Sequence, residues 1–124
     1  MGRYYSGDIE GKFWFAVQSS DAADRFGVIG QEPRYLRYWF ETDDLPNIEK
    51  ELKQIETNLG HYLKKIEDFF DSVDYYSDEE LAEAIGVKVE DARYYLREYA
   101  DYQLGKKIRD HVVEYGECEF DAEI

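Results

Sequence analysis

The chain has 124 residues, of which 44% are hydrophobic and 17% aromatic, so it can form one hydrophobic core without disulfides or metal ions. Its formal net charge of −14 at pH 7 repels phosphate groups and attracts basic partners, which argues against ordinary nucleic-acid binding. The single cysteine, Cys118, excludes an internal disulfide, and the absence of signal-peptide and transmembrane patterns predicts a cytoplasmic protein with no membrane association.

The first forty residues have the composition of a β-rich region. Residues 11–18 are dense in aromatic and β-branched side chains, which predicts a strand. Residues 19–30 are polar and interrupted by glycine, which predicts a loop with a short helical turn at 21–26. Residues 34–41 alternate with period two, which predicts a further strand with aromatic side chains on both faces.

Residues 45–73 change to a helical period and predict one long helix. The apolar positions repeat every three or four residues as in a heptad seam: Leu45, Ile48, Leu52, Ile55, Leu59, Tyr62, Ile66, Phe69 and Val73. Gly60 lies inside this segment and predicts a local bend. The seam packs either within the chain, as half of a helical hairpin on the sheet, or against a second subunit. The interface residues predicted for the second case are Leu52, Ile55, Leu59, Tyr62, Ile66 and Phe69.

Two further helices are predicted in the second half of the chain. Ser77 and Glu80 form a capping-box pattern ahead of a short helix over residues 78–85. Gly86 ends this helix, and apolar residues resume helical spacing over residues 89–113.

The tail, residues 118–124, alternates apolar and acidic side chains and predicts an amphipathic strand. A terminal strand needs a partner, so we expect it to pair with the N-terminal strands. The predicted fold class is α+β, in a single domain over residues 1–124. A small antiparallel sheet, built from N-terminal strands and a C-terminal strand, packs with two long helices and one short helix.

Residues 78–96 resemble a helix-turn-helix unit, with Gly86 at the turn. A DNA-binding unit needs polar or basic groups on its second helix. Here the second helix mixes Arg93 and Arg97 with acidic residues, and the first helix is strongly acidic. The unit is therefore either a structural packing motif or, as an alternative function, part of a DNA-binding regulator.

Arginine and aromatic residues occur together on the predicted 34–41 strand and on the last helix. A guanidinium for phosphate beside a ring for a base is what a nucleotide-like ligand requires. The candidate ligand-binding residues are Arg34, Arg37, Trp39, Arg93, Tyr94, Arg97 and Arg109. The alternative interpretation is that these residues form cation–π contacts and surface ion pairs of the fold.

The sequence offers little support for catalysis. His61 and His111 lie far apart in predicted helices, and no nucleophile-elbow, phosphate-loop or metalloprotease motif occurs. We therefore predict no catalytic residue, no metal site, no cofactor and no enzymatic activity.

The opening segment, residues 2–21, reads GRYYSGDIEGKFWFAVQSSD. It resembles the start of a family of small uncharacterised proteins associated with phages and large DNA viruses. The layout is similar too, with Asp44-Leu45-Pro46 opening a charged helix, then the Gly86 unit and a short acidic terminal strand. The association with viruses implies a virus–host interaction in the host cytoplasm. Because the family has no established activity, the resemblance implies no functional residues.

Together these observations predict a non-enzymatic acidic binding protein, viral or phage-encoded if the resemblance holds, that acts by stoichiometric contact in a counter-defence role. It would either cover a basic surface of a host protein or, as a homo-oligomer, sequester a nucleotide-like signal. A helix-turn-helix DNA-binding regulator and a structural or assembly subunit are the alternatives.

Overall fold

The computed structural model describes residues 4–14, 18–30 and 35–123, with the side chain of Tyr35 outside the described part. Four strands and four α-helices, together with two short 3-10 helices, make up this part of the chain. In chain order they are β1 (Tyr4–Gly7), β2 (Gly11–Lys12), a 3-10 helix (Ala22–Phe26), β3 (Tyr35–Glu41), a 3-10 helix (Thr42–Asp44), α1 (Leu45–Leu59), α2 (Tyr62–Ser72), α3 (Asp78–Ile85), α4 (Val89–Tyr115) and β4 (Glu117–Glu123).

The four strands form one antiparallel sheet in the order β2-β1-β4-β3. The C-terminal strand β4 is therefore central, between β1 and β3, which confirms the predicted α+β class and the pairing of the tail with the N-terminal strands. The side chains of β4 alternate between the two faces of the sheet: Cys118, Phe120 and Ala122 are buried, while the residues between them are exposed or partly exposed.

The helices pack on one face of this sheet. The rings of Tyr38 and Phe40 stack on Phe120, with centroids 5.3 and 6.2 Å apart, and α4 crosses this aromatic layer with a fully buried stripe that includes Leu104 and Ile108. The outward-facing side chains of the described strands are exposed or partly exposed, so the other face of the sheet is open. In the described part of the chain, no helix is long and apolar enough to cross a membrane.

The long helix predicted over residues 45–73 is interrupted at Gly60. Its φ of 53° and ψ of −133° lie outside the helical region, so α1 ends at Leu59 and α2 begins at Tyr62. The predicted bend is thus a break between two helices, while the apolar spacing continues across them.

The strand predicted over residues 11–18 is much shorter than expected. Only Gly11–Lys12 is strand, and residues 15–17 lie outside the described part. The side chain of Gln18 accepts a hydrogen bond from the backbone N–H of Trp14 (3.3 Å) and another from the hydroxyl of Tyr5 on β1 (3.0 Å), so Gln18 lies beside β1.

Four of the six residues predicted as a subunit interface along the heptad seam lie in the chain's own core. Leu52, Ile55, Leu59 and Ile66 are each at most 2% exposed, packed mainly between α1, α2 and α4. The other two are partly buried: Tyr62 lies against Tyr95, and Phe69 lies against Phe70 of α2 and Tyr76 after it. The intramolecular alternative describes this seam.

Candidate functional site

The open face of the sheet carries a row of carboxylates along its central strand. The four outward-facing residues of β4 are Glu117, Glu119, Asp121 and Glu123, which we call the acidic strand face. Every second residue of a strand points to the same side, so neighbouring carboxylates are about 6.8 Å apart along the strand. Because β4 is central, the acidic strand face runs down the middle of the open surface.

One guanidinium partly neutralises this row. Arg37, on β3, lies opposite Asp121 of β4, and its Nε donates a hydrogen bond to Asp121 Oδ1 at 2.9 Å. The hydrogen bond and the negative charge of Asp121 raise the pKa of Arg37 above its ordinary value. Among the described residues, no cation forms an ion pair with the carboxylates of Glu117, Glu119 or Glu123, so the face keeps a net negative charge.

An apolar anchor point lies beside the acidic strand face. Trp39 is 54% exposed and sits opposite Glu119 in the register of β3 and β4. A cavity of about 250 Å³ opens next to it, lined by Val28, Ile29, Arg37, Trp39 and Glu119. Ile29 is 71% exposed. An exposed indole and an exposed aliphatic side chain around one cavity provide a place for an apolar side chain of a partner.

The loop that supplies Val28 and Ile29 is held by an ion-pair network. The guanidinium of Arg25 contacts Glu51 of α1 at 2.8 Å and, on α4, Asp101 at 2.7 Å and Glu98 at 3.3 Å. Burial alone would lower the pKa of Arg25, but the hydrogen bonds to Asp101 and Glu51 and the charge of Glu98 outweigh burial and raise it. The loop is therefore fixed to two helices at once.

A second tether fixes the loop to the sheet. Asp24 Oδ1 accepts hydrogen bonds from the hydroxyl of Tyr38 on β3 and from the backbone N–H of Gly30 (3.0 Å). Burial, followed by the hydrogen bond to Asp24, raises the pKa of Tyr38, so the phenol keeps its proton as donor. Together the two tethers hold one wall of the cavity beside β3.

The structure does not bring the predicted ligand-binding residues together within one chain. Arg37 and Trp39 share the open sheet face, while Arg34 lies outside the described residues. Arg93, Tyr94 and Arg97 are exposed near the start of α4, and Arg109 lies about 24 Å further along that helix. Arg109 pairs with Asp110 at 3.0 Å and with Glu49 at 3.7 Å, so its guanidinium already has carboxylate partners.

Helices α3 and α4 are joined by a short turn at Gly86 and pack against each other. Ser77 caps α3 by accepting from the N–H of Glu80 at 3.2 Å, and Gly86 makes the turn with a φ of 78°. Arg93, on the second helix, pairs with Asp78 of the first at 2.8 Å. That guanidinium is engaged by a carboxylate, and DNA binding by this unit stays a prediction.

The thiol of Cys118 lies on the inward side of β4 and is fully buried. Burial, with a smaller effect of the Asp8 charge, raises the pKa of this thiol to about 12. A nucleophilic cysteine needs the opposite change, towards thiolate at neutral pH. The residue is therefore not poised for covalent catalysis.

Sequence reasoning missed most of this surface. Its candidate list included Arg37 and Trp39 but none of the acidic strand face, although the alternating tail was predicted to have one wet side. The signal was present in that alternation, because every outward position of the strand is acidic. Val28 and Ile29 gave no comparable signal, since their position depends on tethers to distant residues.

Comparison of the chain with protein-family models, with curated proteins and with solved structures finds no match. The resemblance to phage-associated proteins and the resemblance to a helix-turn-helix unit therefore stay predictions.

Proposed function

We propose that this protein is a non-enzymatic binding protein whose open sheet face holds an extended, basic segment of a partner protein. The observation that carries the proposal is the acidic strand face, which lies along the middle of the open sheet beside Trp39 and its cavity. The proposal has three parts: charge, spacing and an apolar anchor.

Charge favours a cationic partner. Three of the four carboxylates have no ion pair in the described part of the chain, and the whole chain carries a net charge of −14. Hydrogen bonds between guanidinium groups and carboxylates are about twice as strong as neutral ones. The same long-range field would speed the approach of a basic partner and weaken as salt is added.

Spacing favours an extended segment. Carboxylates about 6.8 Å apart match arginine or lysine at every second position of an extended chain, because both follow the period of a strand. A partner with its cations in one block places them on both sides of its own backbone, so only some could reach the acidic strand face. The arrangement thus distinguishes partners by pattern as well as by charge.

The cavity beside Trp39 favours one apolar side chain next to the basic positions. The indole also offers its ring to a cation, an interaction worth about 0.5–1 kcal/mol at an exposed site. Tryptophan is common among residues that dominate binding energy at interfaces. Trp39 would therefore contribute more to affinity than any one carboxylate.

If the resemblance to phage-associated proteins holds, the partner is a basic protein of the host. Bound there, the chain would cover a surface that otherwise contacts nucleic acid. Sequestration of a nucleotide-like ligand is less favoured, because the predicted arginines are dispersed over the chain and Arg37, Arg93 and Arg109 already pair with carboxylates.

The test uses two synthetic peptides of identical composition, containing arginine, serine and one leucine. In one peptide the arginines alternate with serine; in the other they form a single block. Titration followed by fluorescence anisotropy at low salt should show the alternating peptide binding about tenfold more tightly, with an affinity that falls as salt rises.

A set of matched variants locates the binding. Glu117→Gln, Glu119→Gln and Glu123→Gln together should reduce affinity for the alternating peptide by about tenfold. The control combines Glu79→Gln, Glu83→Gln and Glu90→Gln, which are exposed on α3 and α4 and remove the same charge. Equal losses in the two triple variants, or equal affinity for the two peptides, would refute the proposal.

A further inference from the structure

Three side chains with metal-ligand atoms meet near the start of β4. Asp8 follows β1, His111 is on α4 and Cys118 is on β4. A carboxylate oxygen, a ring nitrogen and the sulfur all lie within 4.8 Å of one another. We call this group the Asp8–His111–Cys118 cluster. Its members come from three elements, so the fold alone brings them together.

Backbone contacts fix two members of the cluster. Asp8 donates its backbone N–H to the carbonyl oxygen of Glu119, and Asp8 Oδ2 accepts the backbone N–H of Glu119, both at 2.7 Å. The ring Nδ1 of His111 lies 2.7 Å from the carbonyl oxygen of Glu117 and 3.9 Å from Asp8 Oδ2. Cys118, between these two positions of β4, is held by the sheet and points into the core.

We infer that the Asp8–His111–Cys118 cluster is a zinc site with one coordination position open to solvent. Thiolate, imidazole and carboxylate are the ligand types that zinc takes in proteins, and three protein ligands with an open fourth position is a common arrangement. Tetrahedral zinc would require ligand atoms roughly 3.3–3.8 Å apart. The ligand atoms lie within 4.8 Å of one another, so small side-chain movements on metal binding would suffice to reach that separation.

The surroundings favour a cation. A cavity of about 290 Å³ opens beside the cluster. It is lined by Ile9, the imidazole of His111, the ammonium group of Lys107 and the carboxylates of Asp8, Glu10, Asp110 and Glu114. Four negative groups against one positive group attract a divalent ion to this opening. The fourth position would hold water or a small ligand that enters through the cavity.

Metal binding changes the protonation of the cluster in a defined way. The Cys118 thiol gives up its proton to solvent, and the sulfur then binds the metal as thiolate. The carbonyl oxygen of Glu117 can only accept, so Nδ1 of the neutral His111 ring keeps its proton and Nε2 supplies the second bond. Because the three ligands come from three elements that separate on unfolding, metal binds the folded chain in preference to the unfolded one.

The test is a titration of the metal-free protein with Co²⁺, which adopts zinc geometry and absorbs visible light. A sulfur-to-cobalt charge-transfer band and intense visible bands that saturate at one equivalent are the expected result. The chain has one cysteine, so this band reports Cys118 alone. Zn²⁺ added afterwards should displace cobalt and raise the melting temperature.

Four variants assign the ligands. Cys118→Ser should abolish the charge-transfer band, and His111→Gln and Asp8→Asn should each weaken cobalt binding by about tenfold or more. Asn keeps the oxygen that accepts from Glu119, so Asp8→Asn preserves the local fold. His61→Gln is the control, since His61 is exposed at the start of α2, and it should bind cobalt as the parent chain does.

Two results would overturn the inference: no charge-transfer band in the folded parent chain, or binding that His111→Gln leaves unchanged. The second would mean that His111 is not a ligand of the ion. Since His111→Gln alters a partly exposed residue, it stays informative even if Cys118→Ser unfolds the chain. Peptide binding by the acidic strand face is measured with chelator present, so failure here leaves that proposal standing.

Discussion

Arg25 shows how much of the site depends on a single partly buried side chain. Its side chain is 25% exposed and touches three carboxylates on two helices. These partners lie 26, 73 and 76 residues away along the chain. The local pattern of residues 19–30 predicted a polar loop. It could not predict that α1 and α4 anchor this loop through Arg25, because those partners are distant in sequence.

Replacing Arg25 with methionine should lower the free energy of unfolding by about 2–4 kcal/mol, because three partly buried carboxylates are left facing one another without a cation. Urea denaturation at neutral pH measures the change. The matched control is Arg93→Met, which removes an exposed arginine from its pair with Asp78 and should change stability little. Equal losses in the two variants would show that the Arg25 network is not a special anchor.

The Asp8–His111–Cys118 cluster also depends on contacts between distant residues that local sequence patterns do not reveal. The sequence analysis predicted no metal site, because its two histidines lie far apart and the chain has only one cysteine. His111 and Cys118 are near in sequence but on different elements, and Asp8 joins them only through the pairing of β1 with β4. A cluster of this kind depends on register, which composition does not reveal.

At the scale of elements, prediction succeeded where the signals are local. Helix α3 has the predicted bounds, since a side-chain cap at Ser77 and a glycine at its end both act within a few residues. Alternation also predicted the strand β3 but not which of its faces is buried. The structure buries Leu36, Tyr38 and Phe40 and exposes Arg37 and Trp39. Prediction was weaker where long-range contacts decide, as in the shortened strand after Gly11.

Gly60 provides a direct test of the break between α1 and α2. In one continuous helix, Gly60→Ala should stabilise the chain by about 1 kcal/mol. At a φ of 53° and ψ of −133°, however, a side chain is strained, so we expect a loss of about 1–3 kcal/mol and no gain in helical circular dichroism.

The control for that experiment is Thr57→Ala, in the regular part of α1, which should be neutral or slightly stabilising. If Gly60→Ala instead raised both stability and helical signal, the two helices would form one rod in solution. The packing of Leu59 and Ile66 in a single core would then need revision.

At the scale of the whole molecule, the seam that predicted a homo-oligomer is used inside the chain. Leu52, Ile55, Leu59 and Ile66 have no exposed surface to offer a second copy, and a net charge of −14 opposes self-association. Light scattering across a concentration series at physiological salt should therefore give the 14.7 kDa mass of one chain. A stable dimer would mean that a surface other than these four residues is an interface, and would restore the assembly alternative.

The packing of helices on one face of the sheet also explains why acidic side chains are concentrated on the other face. Helices cover one face of the sheet, so the outward side of its central strand is left to solvent, and every residue there is a carboxylate. The charge total was visible in the sequence, whereas its concentration on this face beside Trp39 required the strand order. The proposed binding surface therefore depends on two features: the alternation of acidic and apolar residues along β4, and the strand order that makes β4 central.

The central claim is tested most directly by mapping the bound peptide with backbone amide chemical shifts. On titration with the alternating arginine peptide, the account predicts shifts concentrated on β4 and β3, with the indole N–H of Trp39 among the largest. Shifts concentrated on α3 and the start of α4, or spread evenly over all acidic residues, would contradict it. In that case the open sheet face would not be the binding surface.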